Sequence, residues 1–398
     1  MNAPISGQNG ALTQGFRLPD PDFVPEELQM LRDQVQRVVE AEIVPYADDW
    51  EREGKIPRAL FRKLGELGLL GMQHETAYGG TEMGALASVV FGEELARSSY
   101  GGVTSSVTVH SDMSASHITR VGTPEQKARW LPQICSGETV CAIAVTEAGA
   151  GSDVAGLKTH ARRDGDDWVI NGSKMFITNG VYGDIIIVAA RTDPDAKGSR
   201  GLSLFIVPKS TPGVTVASKL EKHGWLSSDT AELYFDDVRV PDEDLLGGEN
   251  QGFYAIMRGF EHERLMVGAI SSGEAAKAIE LALDYVRTRK AFGRTLWEQQ
   301  ATRQRLASLA SQVAMIRAMT YQTAAAYDGG RNTSLETAMI KSTAPEILHE
   351  VVHGCLQLHG GTGYMRGTPI ERMVRDARIL RIGGGATEVM LEEVAKRL

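Results

Sequence analysis

Residues 141–180 read CAIAVTEAGAGSDVAGLKTHARRDGDDWVINGSKMFITNG. The stretch opens apolar at 142–145, turns polar at Thr146-Glu147 and enters a small-residue loop, Gly149-Ala150-Gly151-Ser152-Asp153. Small residues let backbone approach a ligand closely, and successive N–H groups in such a loop form an anion-binding concavity. Trp168-Val169-Ile170, Asn171-Gly172 and Lys174-Met175-Phe176-Ile177-Thr178 then read as a hairpin closed by a tight turn. Taken singly, each piece also suits a surface β-meander.

On the N-terminal side the apolar period is helical. Leu28, Leu31, Val35, Val38 and Val39 share one face of a helix over 25–49 that Pro45 ends or kinks. Further helices are expected over 57–70, 85–96 and 105–121. Thr123-Pro124-Glu125-Gln126 is a helix start, with Thr as N-cap and Pro at the first position. Near 138 the period becomes strand-like, with strands expected over 184–190, 201–208, 214–217 and 231–240. From 250 onward it is helical again. The expected organisation is a disordered tail (1–20), an N-terminal helical domain (21–138), a middle β domain (139–249) and a C-terminal helical bundle (250–398), an α+β chain.

Composition narrows the function classes. A chain of 398 residues is long enough for two or three packed regions, and 23% charged residues is ordinary for a soluble protein. The net charge of −9 argues against non-specific nucleic-acid binding. Cys135, Cys141 and Cys355 have neither metal-ligand spacing nor the number for a disulfide framework, which points to a reducing compartment. No apolar run reaches membrane-spanning length, and the first residues carry no export or organelle pattern. A cytoplasmic protein without a bound metal is expected.

The segment Val145-Thr146-Glu147-Ala148-Gly149-Ala150-Gly151-Ser152-Asp153, followed by Lys174-Met175-Phe176-Ile177-Thr178-Asn179-Gly180, resembles the acyl-CoA dehydrogenases, a family of FAD enzymes. The resemblance runs over nearly the whole chain. It implies α,β-dehydrogenation of an acyl-CoA thioester: a carboxylate takes the α-proton and the β-hydrogen leaves as hydride to the flavin. It also implies that Ile143, Val145, Thr146, Gly151, Ser152, Phe176, Ile177 and Thr178 cradle FAD, with Ser152 reaching the CoA part. Arg289-Lys290-Ala291-Phe292-Gly293 resembles the segment whose Arg meets the FAD diphosphate, which the planar guanidinium fork suits. Gln300 follows at the family spacing. Gln357-Leu358-His359-Gly360-Gly361-Thr362-Gly363-Tyr364 resembles a second cofactor loop, in which His359 reads as structural. In the family the Arg and this loop reach a neighbouring subunit's FAD, so a homo-oligomer, a tetramer, is implied.

The base is where members differ. Medium- and short-chain members carry a Glu after an Arg-Asp-Ala element, here Arg375-Asp376-Ala377-Arg378, but the matching position in Ile382-Gly383-Gly384-Gly385-Ala386-Thr387-Glu388 is Gly384. Long-chain and isovaleryl-type members place it in a Glu-Arg-Leu element on the first long helix after the β domain, here Glu263-Arg264-Leu265. Helical spacing supports this independently: Ile256, Phe260, Glu263, Val267 and Ile270 share one face, where a carboxylate is desolvated and its pKa raised. Glu261, flanked by Arg258 and Arg264, reads as a solvated ion-pair face or a CoA-facing one. The resemblance gives the Gly384 N–H to the thioester oxygen, Thr387 and Glu388 to the cofactor, and Glu261, Arg264 and Gly385 to the substrate. The family also has an acid where this chain has Gly367. An electron-transferring flavoprotein is the implied electron acceptor, and a medium, long or methyl-branched chain the implied acyl group. An acyl-CoA oxidase of the same fold and a silent flavin-binding scaffold are the alternatives.

Overall fold

The computed structural model describes residues 16–196 and 198–398. Most of the expected tail lies outside them, but residues 16–20 are tied down. Arg17 pairs with Glu94, and Asp20 with both Arg32 and Arg317. These join a buried cluster in which Arg32 and Arg317 also meet Glu93. Desolvating so many charges is offset only because each is paired.

The first helices are α1 (Glu26–Val38), α2 (Ala47–Glu53), α3 (Arg58–Glu66) and α4 (Gly84–Ala96). A π-helical turn, Val39–Ile43, precedes Pro45, where the chain bends into α2. The helix expected over 105–121 begins earlier, as α5 (Gly101–Thr108), and runs through a π-helical segment, Val109–Ser114, into α6 (Ala115–Val121). Then comes α7 (Pro124–Cys135), capped as expected: Thr123 accepts from the Gln126 N–H while Gln126 accepts from that of Thr123.

The strands are β1 (Cys141–Ala144), β2 (His160–Asp164), β3 (Asp167–Thr178), β4 (Ile185–Arg191), β5 (Leu202–Pro208), β6 (Val214–Lys219), β7 (Thr230–Pro241) and β8 (Leu245–Leu246). Among the described residues they form one sheet in the order β6-β7-β3-β2-β4-β5-β8, with β1 parallel to β4. The central strands are buried on both faces, so they read as apolar runs rather than alternating ones. Ile185, Ile187 and Ala189 face a core shared with Ile118, Trp130 and Ile256, whereas Ile186, Val188 and Ala190 face one with Trp168 and Phe205.

The Asn-Gly hairpin expected at Asn171-Gly172 does not form. β3 runs straight through it, and the tight turn is the Gly165-Asp166 connection between β2 and β3. Gly172 sits instead at a register shift against β7, with φ +148°, where a Cβ would lie 2.7 Å from the Thr159 Cα. Asn171 spends its side-chain amide on Asp237 across the strands, bonding both its carboxylate and its N–H. A glycine required for close approach thus mimics a turn signal.

The long helix α8 (Gly252–Thr288) enters next, about 55 Å in length at 1.5 Å per residue. The short hairpin β9 (Lys290–Ala291) and β10 (Arg294–Thr295) links it to α9 (Gln300–Asp328), α10 (Ser334–His359), α11 (Gly361–Tyr364), α12 (Pro369–Ala377) and α13 (Thr387–Ala395). α4, α9 and α10 enclose α8, so it is buried nearly all round rather than on one face. Close packing needs small residues: a Cβ at Gly273 would lie 2.1 Å from the Glu93 carbonyl oxygen.

One buried ion pair locks the small-residue loop to the sheet. Lys174, in the middle of β3, donates to the Glu147 carboxylate (2.9 Å) and the Val145 carbonyl (2.9 Å). Glu147 also accepts from the backbone N–H groups of Lys158 (2.7 Å) and Thr159 (2.8 Å). Burial pushes the Lys174 pKa down to about 8 against the pull of Glu147. Burial alone would raise that of Glu147, but the ammonium and the hydrogen bonds hold it below the usual range. Lys174→Met leaves a buried carboxylate without its cation and is expected to cost about 3 kcal/mol in urea denaturation. Adding Glu147→Gln, which removes the unpaired charge and keeps an acceptor oxygen for the Lys158 and Thr159 N–H groups, should recover part of this; a single Lys174→Met variant as stable as the parent would contradict the clamp.

Candidate active site

The loop after β1 is assembled by that clamp and by the Met175 N–H, which donates to the Thr146 carbonyl (2.9 Å). Thr146 is thereby brought beside the irregular end of β3 that carries Phe176 and Thr178. Phe176 is 65% exposed with φ +63°, a strained conformation for an aromatic residue. Ile143 and Val145 are half-buried and pack against the core that contains Ile256, as does Phe260 of α8. Ile177 is buried in the core with Trp168 and Phe205. Gly151 and Ser152 are exposed, and nothing lies within 4 Å of a Cβ built at Gly149 or Gly151. An exposed aromatic face, two hydroxyls and an open small-residue loop fit an isoalloxazine and its ribityl chain.

Glu263 lies in the first half of α8, one turn beyond Gly259 and two beyond Ala255. Its side chain is buried, and Oε1 has no hydrogen-bond partner among the described residues. Burial raises its pKa to about 7, while the guanidinium groups of Arg120 and Arg264 pull it down. Ile256, Val267 and Ile270 are buried beside it as the helical spacing predicts, and Phe260 is half-buried. Arg264 is half-buried above the Phe260 ring (5.7 Å). Glu261, half-buried, pairs with neither Arg258 nor Arg264 as the ion-pair reading expected; its carboxylate accepts from the Ser334 hydroxyl (2.6 Å) at the start of α10.

Gly384 and Gly385 turn the backbone at φ +68° and +100°, a region that favours glycine. A Cβ on Gly384 would lie 3.8 Å from Cε of the buried Lys341, whose ammonium donates to the Leu380 carbonyl (2.8 Å). Burial lowers the Lys341 pKa to about 8; Arg264 lowers it further, and Glu346 and Glu388 oppose this. The glycine turn lies against Lys341, whose ammonium feels Arg264 and Glu388. Thr387 approaches Glu346 and the Arg381 carbonyl, both at 3.4 Å.

A second group lies elsewhere. Arg289, Gln300, Gln357, Gly360 and Gly361 are exposed, and Phe292 is 97% exposed at the tip of the β9–β10 hairpin. His359 stacks on Tyr285 at 4.5 Å and bonds the Cys355 carbonyl, a structural role as expected, and this ties the end of α10 to the end of α8. The loop after β1 shares a core with Ala255 and Ile256 near the start of α8. The two groups are thus separated by about 40 Å of helix, and one chain does not bring them together.

Sequence reading missed Lys174, Glu147, Lys341 and Arg120. Arg120 donates to the Gln73 side chain and the Arg258 carbonyl (both 3.3 Å), and Gln73 in turn meets His262. Their only signal is a charge inside an otherwise apolar or small-residue element; partners distant in sequence leave none.

Comparison with known proteins agrees with this geometry. The N-terminal, middle and C-terminal domain profiles of acyl-CoA dehydrogenase match residues 25–138, 142–238 and 250–398. The chain is 39% identical over 373 residues to a long-chain specific acyl-CoA dehydrogenase of Rattus norvegicus, covering 94% of this chain and 86% of the relative. An acyl-CoA dehydrogenase structure from Geobacillus kaustophilus superposes with TM-score 0.90 at 40% identity, over 94% of this chain and 99% of the other. A glutaryl-CoA dehydrogenase of Mycobacterium smegmatis in complex with FADH2 superposes with TM-score 0.88 at 27% identity, over 94% and 95%. The chain belongs to the acyl-CoA dehydrogenase family, enzymes that oxidise acyl-CoA thioesters with FAD.

Proposed function

We propose that Glu263 is the base that removes the α-proton of the bound acyl-CoA. The observation that carries this reading is a buried carboxyl with an unpartnered oxygen and a pKa near neutrality. A general base works best when its pKa lies near the working pH. The α C–H bond breaks, the proton goes to a Glu263 oxygen, and the electron pair becomes the α,β double bond as the β-hydrogen departs with its own pair. FAD, held by Thr146, Ser152, Phe176 and Thr178, supplies the acceptor for that hydride. The Gly384 N–H, on a backbone turn without a side chain, stabilises charge on the thioester oxygen.

Ser152, Arg264 and Gly385 flank the CoA path, with Glu261 at its border. A medium, long or methyl-branched acyl chain is supported by the helix-borne base and by the rat relative named for long chains. The exposed group around Arg289, Phe292 and Gln357 serves the cofactor of a second copy, because it stands so far from its own chain's cradle. A homotetramer satisfies this, and an electron-transferring flavoprotein takes the electrons onward.

Glu263→Gln should keep FAD and bind acyl-CoA while anaerobic flavin bleaching slows by roughly a hundredfold or more. In the parent enzyme the bleaching rate should rise with pH through about 7 and level off above it, because the base acts only when ionised. Fast bleaching in the Gln variant would overturn the assignment. Stability runs the opposite way: an acid raised from 4.5 to about 7 on folding contributes stability below 4.5 that is lost as pH climbs through the folded value of about 7. Glu263→Gln should therefore melt higher than the parent above neutrality, with the gain vanishing under acid conditions.

Arg289→Ala should lower FAD retention and loosen assembly in analytical ultracentrifugation. Full flavin content at the parental oligomer size would remove Arg289 from the neighbour's site.

A further inference from the structure

Lys341 lies in the first half of α10 and is 0% exposed. A buried ammonium is costly unless an anion pairs with it. Among the described residues no carboxylate pairs with Lys341; its hydrogen bond goes to the Leu380 carbonyl oxygen at 2.8 Å. That carbonyl belongs to the helical turn Arg378–Arg381, which leads into the glycine segment 383–385. A Cβ built at Gly384 would lie 3.8 Å from the Lys341 Cε, and the charged nitrogen is one bond from that atom. Gly383 and Gly384 are themselves exposed. The ammonium thus lies beneath a backbone turn that is open to a ligand.

A second cation is held in the same condition. Arg264 on α8 is half-buried, and its Nε is buried with no hydrogen-bond partner among the described residues. No carboxylate pairs with it there either. Burial lowers the Lys341 pKa to about 8 and the like charge of Arg264 lowers it further, while Glu346 on α10 and Glu388 on α13 act in the opposite sense. The nitrogen therefore carries its proton at neutral pH. Glu346 is already engaged by Arg381 at 2.6 Å. Two like charges kept near one turn without a counter-ion burden the resting protein, and they suit a site where negative charge develops during a reaction.

Resting on the reading that the Gly384 N–H addresses the thioester oxygen, we propose that the Lys341 ammonium acts across the turn on that same oxygen, answering the negative charge that reaches it when the α-proton leaves. The α C–H bond breaks and the proton goes to Glu263. Part of the charge of the electron pair left behind rests on the thioester oxygen until the β-hydrogen departs with its own pair. Lys341 keeps its proton throughout. It touches backbone rather than substrate, so it is a positioning residue that acts through the turn it holds at Leu380.

The test uses a 3-oxoacyl-CoA, which has no β-hydrogen to give and whose α-carbon ionises to an enolate that absorbs in the near ultraviolet. Bound to the FAD-loaded parent enzyme, it should ionise at a lower pH than in water. Lys341→Gln keeps an N–H for the Leu380 carbonyl and removes the charge, so it should raise the bound midpoint by about one pH unit, a tenfold change in the ionisation constant. Amide exchange across 380–385 should stay parental in that variant, and bleaching by a saturated acyl-CoA should slow by about tenfold. A parental midpoint in the Gln variant, or a shift accompanied by altered exchange across the turn, would overturn the inference. Lys341→Met decides the matter by its midpoint if the Gln variant does not fold: a rise supports the role of the charge and a parental value removes it. A parent enzyme that ionises the ligand no more readily than water does removes the turn itself from the thioester oxygen, whereas an advantage kept intact in the Gln variant removes only Lys341. Neither result bears on Glu263, which is tested by bleaching in Glu263→Gln.

Discussion

The structure turns on a carboxyl that has been buried without a counter-ion. α8 passes through the middle of the helical packing, and Glu263 sits on it where solvent is excluded. Fully ionised, such a group would cost several kcal/mol, and the chain meets the cost by letting it titrate near neutrality. Arg120 and Arg264 are near enough to keep it ionisable, yet neither forms a salt bridge with it. Glycines such as Gly259, Gly268 and Gly273 let the neighbouring elements approach α8 closely.

The sheet solves the complementary problem. Its small-residue loop after β1 is open, with nothing within 4 Å of a Cβ built at Gly149 or Gly151, and such a loop has little packing of its own. The Glu147–Lys174 pair and the Met175 N–H bond to Thr146 anchor it from beneath. Charge is used in opposite ways at the two places: paired and fixed under the small-residue loop, unpaired and titratable at Glu263.

Much of this was legible in the sequence. Periodicity separated helical from strand regions, Thr123 announced its capping box, and spacing put Glu263 beside Ile256, Val267 and Ile270. The motif around Thr146 and Phe176 pointed to FAD, and the missing acid at Gly384 directed attention to α8. The failures share one cause, which is that tertiary contact decides what local pattern leaves open. Asn171-Gly172 looked like a turn because a glycine needed against Thr159 carries the same letter as one needed for a hairpin. Glu261 looked solvated because nothing in its own helix announces Ser334. Residues 16–20 looked loose because Asp20 finds Arg317 nearly three hundred residues later.

The central claim concerns the protonation state of one buried group, and it can be observed without turnover. Infrared difference spectra of the enzyme, titrated across the neutral range and subtracted from those of Glu263→Gln, isolate the carboxyl C=O stretch of Glu263 from other buried acids such as Asp376 and Glu274. The account predicts a protonated-carboxyl band that disappears with a midpoint of about 7 and is absent from the variant. A carboxyl already ionised throughout that range, or a titrating band unchanged in Glu263→Gln, would contradict it.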